Sequence, residues 1–376
     1  MTGPIKALWR ARGQILALHI GMTLLAVAVI GPLSQLVLRV AIRLSGAPAL
    51  TDQDIARFLL SPVGFTGLLV AGAVATTAAV LETAVILWAL RLREQGQPAP
   101  LKHLLPSVLK RLPSLILLAG HLLLRLLAIL LPGAILLLLI ARWQLGDYDI
   151  NYYLSNRPPE FLRAVGLAAP VVLVTALVLL KQASGWIFTL PLVLFGAKRP
   201  RQAFAESARL SHGQRRRIVL RLLLWAAFAT ALAFAISLIF RGAIWLALPP
   251  LDASLRLIAA ATVVLLLIWG ALITVAGAAA AGLLAAVIHD LSRQLPFPPL
   301  PQPSPVSPRL ARMATIGILL LLGASTIATA AGLLGRAGTP DEVEIIAHRG
   351  AAGARPENTL AAMEKGIEDG ADWLEI

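Results

Sequence analysis

The chain has 376 residues, 58% of them hydrophobic and 14% charged, with a formal net charge of +14. A soluble globular protein carries nearer a quarter of its residues as charges, so that class is excluded. Its cations lie between apolar stretches with no interleaved aromatics, which excludes a nucleic-acid surface, and the absence of cysteine excludes disulfides, thiolate metal sites and Cys nucleophiles.

Taken in chain order, apolar runs long enough to cross a bilayer are predicted near 14–38, 64–90, 113–141, 164–196, 218–248, 257–288 and 313–335. The first is too long for a signal-peptide core and lacks a small-residue cleavage site, so it reads as a retained helix. Leu257 to Ile288 and Met313 to Gly335 contain no acid, Lys or Arg. Pro62, Pro113, Pro191 and Pro249 fall near predicted ends, where a missing N–H costs least. Pro170 falls in the first turns of the fourth span, and Pro132 predicts a kink inside the third.

Between the spans, Gln202 to Leu210 places Ala203, Phe204 and Leu210 on one face ahead of the basic run Arg215–Arg217. Leu101 to Leu115 repeats the pattern loosely. Both suit amphipathic helices on anionic headgroups, although ordinary basic loops explain them more simply. Pro296 to Pro308 holds seven prolines in thirteen residues and predicts an extended, semi-rigid spacer. The connections on one side carry nineteen Lys and Arg against eight on the other. The positive-inside rule therefore places the N-terminus in the cytoplasm. Seven crossings then place the C-terminal part outside the cell membrane.

Glu82, His121, Arg125 and Lys181 lie within apolar spans, where charge is expensive. His121 and Arg125 share a helix face, and a Glu82–Arg125 pair fits their depths. The set reads either as a headgroup or solute cavity or as interhelical packing pairs. His19 stands alone and reads as a packing residue. Gly270, Gly277 and Gly282 suit close helix contacts.

The last thirty residues differ in kind. Val343 to Ala347 predicts a strand, followed directly by His348, Arg349 and Gly350. Asn358 predicts an N-cap for a helix from Thr359 to about Asp369, ended by Gly370. Trp373 to Ile376 begins a second strand with Glu375 near its end. Cleaving a phosphodiester needs phosphate charge neutralised, a nucleophile activated and a leaving alkoxide protonated. A titratable His and a planar Arg fork at a strand end suit two of those tasks.

His348-Arg349-Gly350, Pro356-Glu357-Asn358-Thr359, Gly370-Ala371-Asp372 and Glu375 stand in an order that resembles the glycerophosphodiester phosphodiesterase family. The upstream part resembles the membrane domain that precedes this catalytic domain in some bacterial members. The resemblance implies an all-α transmembrane bundle of about seven spans, then the truncated start of a β/α (TIM) barrel. Its parts would be a multi-span domain over 1–295, a Pro-rich linker over 296–309, an anchor helix over 310–336 and the barrel start over 341–376. The resemblance further implies hydrolysis of glycerophosphodiesters to glycerol 3-phosphate and an alcohol, within lipid metabolism. His348 would be catalytic, Arg349 would bind phosphate, and Glu375 would ligate a divalent metal, Ca²⁺ or Mg²⁺. Glu357 and Asn358 would support the site. The partners would be the diester substrate and the bilayer, with no nucleic acid. The metal site is incomplete here and the chain alone is expected to be inactive. The competing expectation is a non-enzymatic transporter-like or lipid-binding protein with a vestigial barrel.

Overall fold

A computed structural model describes residues 2–45, 58, 61–97, 104, 107–146, 150–247, 255–300 and 345–375. The chain divides into two compact units, Met1–Leu322 and Gly323–Ile376. The predicted seventh span, 313–335, the linker beyond Leu300 and most of the 101–106 segment lie outside the described residues.

The first unit is helical. Its described elements are α1 (Thr2–Ser45), α2 (Pro62–Glu94), α3 (Leu112–Gln144), the short α4 (Ile150–Asn156) and α5 (Pro159–Trp186). They continue as α6 (Thr189–Leu194), α7 (Pro200–Ser211), a 3₁₀ turn at His212–Gln214, α8 (Arg215–Ala247) and α9 (Leu255–Ser292). Six of the described helical stretches are long and apolar enough to cross a membrane. Each long helix packs on the next: α1 on α2, α2 on α3, α3 on α5, α5 on α8 and α8 on α9. Helix α9 closes back on α1 and also touches α2.

Burial is strongly polarised along this bundle. One end collects Ile15 and Leu18 of α1, Ala84 to Leu92 of α2, Leu115 and Leu118 of α3, and Phe188 to Phe195 around α6. Ile218 of α8 and Ala285 to Ile288 of α9 complete it. Toward the other end, α3 exposes Ile135 and Leu139, α5 exposes Leu173 and Leu177, and α8 exposes Ile239 and Trp245. Rows of exposed leucines suit a surface bathed in acyl chains, because lipid is as apolar as the side chains and gives no drive to bury them.

Three features depart from the sequence expectation. The fourth span is not continuous: the helix stops at Trp186 and restarts at Thr189. Pro191 has no N–H to offer the carbonyl of Ile187, so the ladder fails one turn earlier. Ser207 of α7 repairs the break, accepting from the Phe188 N–H at 3.0 Å and donating to the Gly185 carbonyl at 2.7 Å. Secondly, α5 begins at Pro159, so Pro170 lies in its interior rather than its first turns. Thirdly, the amphipathic segment forms α7 as expected, but its apolar face meets protein. Ala203, Phe204, Ser207 and Ser211 are buried against α3, α5 and α6. A face so covered is not available to lie on headgroups.

The first residues of the Pro-rich stretch carry no regular structure, as expected of alternating prolines, yet they are docked. The Phe297 ring packs edge-on to Phe195 at 5.7 Å. The Arg91 guanidinium stacks over both rings and donates to the carbonyls of Phe297 and Pro298 at 3.0 and 3.1 Å. Leu300 is buried and its N–H donates to Gln95 Oε1 at 3.3 Å.

In the second unit, β1 (Ile346–Ala347) pairs in parallel with β2 (Trp373–Leu374), in the register Ile346 with Trp373 and Ala347 with Leu374. The crossover carries α10 (Leu360–Glu368). This is a β-α-β unit, the repeating element of parallel sheets and barrels.

Candidate functional site

The two strands end side by side, and each hands its next residue to the same place. His348 follows β1 and Glu375 follows β2. The Glu375 N–H donates to the Ala347 carbonyl at 3.0 Å, and the Gly350 N–H donates to the Glu375 carbonyl at 3.2 Å. With the backbones so tied, His348 Nδ1 lies 2.5 Å from Glu375 Oε2. A carboxylate at that nitrogen holds the Nδ1–H and leaves Nε2 as the proton-exchanging atom. Both side chains are more than half exposed, so solvent reaches the pair.

Arg349 and Gly350 have φ of 53° and 75°. Two left-handed residues in succession turn the chain sharply off β1. The second must be glycine for a further reason: a Cβ there would lie 2.6 Å from the Ala362 carbonyl carbon. The strained Arg349 backbone is held by the Asn358 N–H, which donates to its carbonyl at 3.0 Å. Its guanidinium donates from Nη1 to Glu357 Oε2 at 2.6 Å. The segment Glu357–Asn358 therefore supports Arg349 twice, through a side chain and through the backbone.

Asn358 is not the helix cap. It adopts φ 57°, a conformation asparagine tolerates better than most residues. The cap is Thr359, whose hydroxyl accepts from the Ala362 N–H at 3.3 Å and donates to the Pro356 carbonyl at 2.7 Å. A hydroxyl directly before Leu360 was the available signal, masked by an equally good capping residue one position earlier. Gly370, at φ 83°, ends the helix as expected. Two residues that sequence reasoning gave no role also build the unit. The Asp372 carboxylate accepts from the Ile345 N–H at 2.8 Å and latches β1 to β2. Gly366 lets α10 sit against the strands, since a Cβ there would meet Ala347 Cβ at 3.0 Å.

Among the described residues no three His, Asp or Glu side chains converge as a metal site. Ca²⁺ takes 6–8 oxygens and Mg²⁺ about six, and Glu375 offers one carboxylate already engaged by His348. The described residues do not by themselves fit a divalent cation.

The polar residues of the bundle pair differently from the expected Glu82–Arg125 bridge. Glu82 of α2 meets His19 of α1, with Nδ1 to Oε1 at 2.7 Å. His19 is thus not alone. Its ring abuts α9, where a Cβ on Gly277 would lie 2.6 Å from Nε2, as a close-contact glycine should. Gly270, by contrast, faces open space. Arg125 donates to the His121 carbonyl at 3.1 Å and stacks over Phe204 at 3.9 Å. Lys181 is exposed. At the buried end, Arg221 pairs with Asp290 at 2.5 Å, and Glu94 holds both Arg293 at 2.6 Å and His289 at 3.1 Å.

Residues 3–328 match the family model described as the membrane domain of glycerophosphoryl diester phosphodiesterase. The chain belongs to that family. A second model, the glycerophosphoryl diester phosphodiesterase family, matches residues 348–376. Of curated proteins, the uncharacterized protein YqiK of Bacillus subtilis (strain 168) is 64% identical over 33 residues. That stretch is 9% of this chain and 14% of that relative's length. No solved structure matches the chain. This family member is a multi-pass membrane protein with a short phosphodiesterase segment at its C-terminal end.

Proposed function

We propose that this chain is the membrane-anchoring and site-initiating part of an enzyme that hydrolyses glycerophosphodiesters to glycerol 3-phosphate and an alcohol. One observation carries the reading: His348 and Glu375, at the ends of adjacent parallel strands, share a 2.5 Å contact. A histidine whose Nδ1 is held by a carboxylate presents Nε2 in a fixed direction, the arrangement general acid/base catalysis requires. Near neutral pH an imidazole exchanges protons readily in both directions. Nε2 can therefore remove a proton from an attacking oxygen or return one to the departing alkoxide. Arg349, oriented by Glu357, supplies a planar cation for the phosphate oxygens.

A divalent cation, Ca²⁺ or Mg²⁺, belongs to the same reading, with Glu375 as one of its carboxylate ligands. It needs oxygens this set does not supply, so the proton chemistry above is assigned to His348 alone. The C-terminal strands are taken as the opening of a β/α barrel, whose catalytic rim lies at the C-terminal strand ends. The division into a bundle over 1–295, a linker over 296–309, an anchor over 310–336 and the barrel start from 341 is proposed on the same ground. The basic ends of α2, α8 and α9 gather at the buried end of the bundle. That supports a cytoplasmic assignment for it under the positive-inside rule, with the plasma membrane as the location.

The deciding assay is glycerophosphocholine hydrolysis by a protein in which this chain continues through a complete barrel, with and without chelator. His348→Ala should lower kcat/KM by about 10²-fold or more. Unchanged turnover in that variant overturns the assignment. The 376-residue chain alone is expected to show no turnover, because its described residues do not supply the oxygens that a divalent cation requires.

A further inference from the structure

Arg125 lies well inside α3, yet among the described residues no acid answers it. Its Nη1 donates to the His121 carbonyl at 3.1 Å, and its guanidinium lies 3.9 Å above the buried Phe204 ring. Arg201, exposed and one turn earlier on α7, is close enough for its charge to act on Arg125. Among the described residues neither arginine has a carboxylate partner. The neighbouring cations of that stretch do: Lys198 and Arg209 both pair with Glu206. Two like charges held together without an acid repel each other, and an anion between them removes the penalty.

The surroundings say which anion. His121, Leu124, Arg125 and Ile135 fall within about 100° of arc on α3. Leu124 is 64% exposed, and Ile135, further into the span, 55%. The guanidinium thus borders the apolar surface that faces acyl chains, where a free phosphate would lose hydration without the acyl-chain contacts that a lipid gains. A lipid phosphate sits at that boundary already, and the planar arginine fork matches its oxygens.

We propose that Arg125 and Arg201 form a binding site on the flank of the bundle for the phosphate of an anionic phospholipid, whose acyl chains follow the exposed leucines of α3. Phe204 stacks beneath the Arg125 guanidinium, and Arg201 stands one turn before Phe204 on the same helix. This site belongs to the membrane bundle and does not rest on the function proposed above.

Native mass spectrometry of the full chain in detergent, titrated with phosphatidylglycerol or phosphatidylcholine, tests it. Phosphatidylglycerol should bind more tightly, by about five-fold for each arginine engaged. Arg125→Gln with Arg201→Gln should remove that preference, and Arg201→Gln alone should remove about five-fold of it. The single variant alters an exposed side chain that has no partner among the described residues, so folding does not confound it. Arg209→Gln, which only takes one cation from Glu206, should leave the preference intact. Equal affinity for the two lipids, an unchanged Arg201→Gln, an equal loss in Arg209→Gln, or displacement of the lipid by millimolar inorganic phosphate would each overturn the assignment.

Discussion

His19 and Glu82 show how a side chain's role is settled by its neighbour. Glu82 is 8% exposed within a membrane-spanning helix, and its oxygen lies 2.7 Å from the imidazole. Removing the ring leaves a buried carboxylate without its bond, which costs about 1–3 kcal/mol. His19→Ala should therefore lower the thermal midpoint of the detergent-solubilised protein clearly. Glu82→Gln should lower it less, since an amide still offers an oxygen to Nδ1. Gly277→Ala should approach the His19→Ala effect, because its Cβ would fall 2.6 Å from Nε2. Periodicity marked Glu82 as costly and placed it at the right depth. It offered Arg125 as partner because depth along a helix is readable in sequence and the identity of the facing helix is not. At the C-terminal site the balance is reversed. His348, Arg349 and Glu375 were readable as a set because they occupy strand ends in a recognisable order, while the Glu357 contact to Arg349 needed the turn at Asn358.

The break between α5 and α6 is a local consequence of Pro191, but its repair is not local. Ser207 bridges it from α7, and the hydroxyl is fully buried. Ser207→Ala would leave the Phe188 N–H and the Gly185 carbonyl without that partner, at a cost of about 1–3 kcal/mol. Hydrogen exchange should show it as faster exchange at Phe188 specifically. Ser207→Thr, if accommodated, should restore protection. In the second unit the capping hydroxyl of Thr359 contributes about 1 kcal/mol. Thr359→Ala should weaken α10, read by circular dichroism, whereas Asn358→Ala should act through its left-handed backbone instead. The helices themselves were legible because apolar runs of that length have few alternatives. Their caps and interruptions were not, because several residues of equal propensity competed for each position.

The whole bundle is tight at one end and open toward lipid at the other. Arg91 stands at the tight end, where it clasps the Phe297 ring and the carbonyls of Phe297 and Pro298. The stretch that sequence presents as a spacer is therefore a strap over its first residues. Arg91→Ala should free it, raising amide exchange at Leu300, whose N–H is held by Gln95. Unchanged protection at Leu300 in that variant would show that the aromatic contact of Phe297 alone suffices. The exposed leucines of α3, α5 and α8 predict that removing lipid and detergent aggregates the protein, while the buried end stays folded.

By itself, the amino-acid order determined that this protein crosses the membrane several times, since an apolar stretch in lipid must satisfy its own backbone as a helix. It also determined the strand–helix–strand run that ends in His348 and Glu375. Tertiary structure alone decided that α7 turns its apolar face inward, that His19 answers Glu82, and that Arg125 stacks on Phe204 of α7. Those pairings join residues many turns or many helices apart. They depend on how each helix is rotated and which helix lies beside it, and repeat patterns along a single chain carry no record of either.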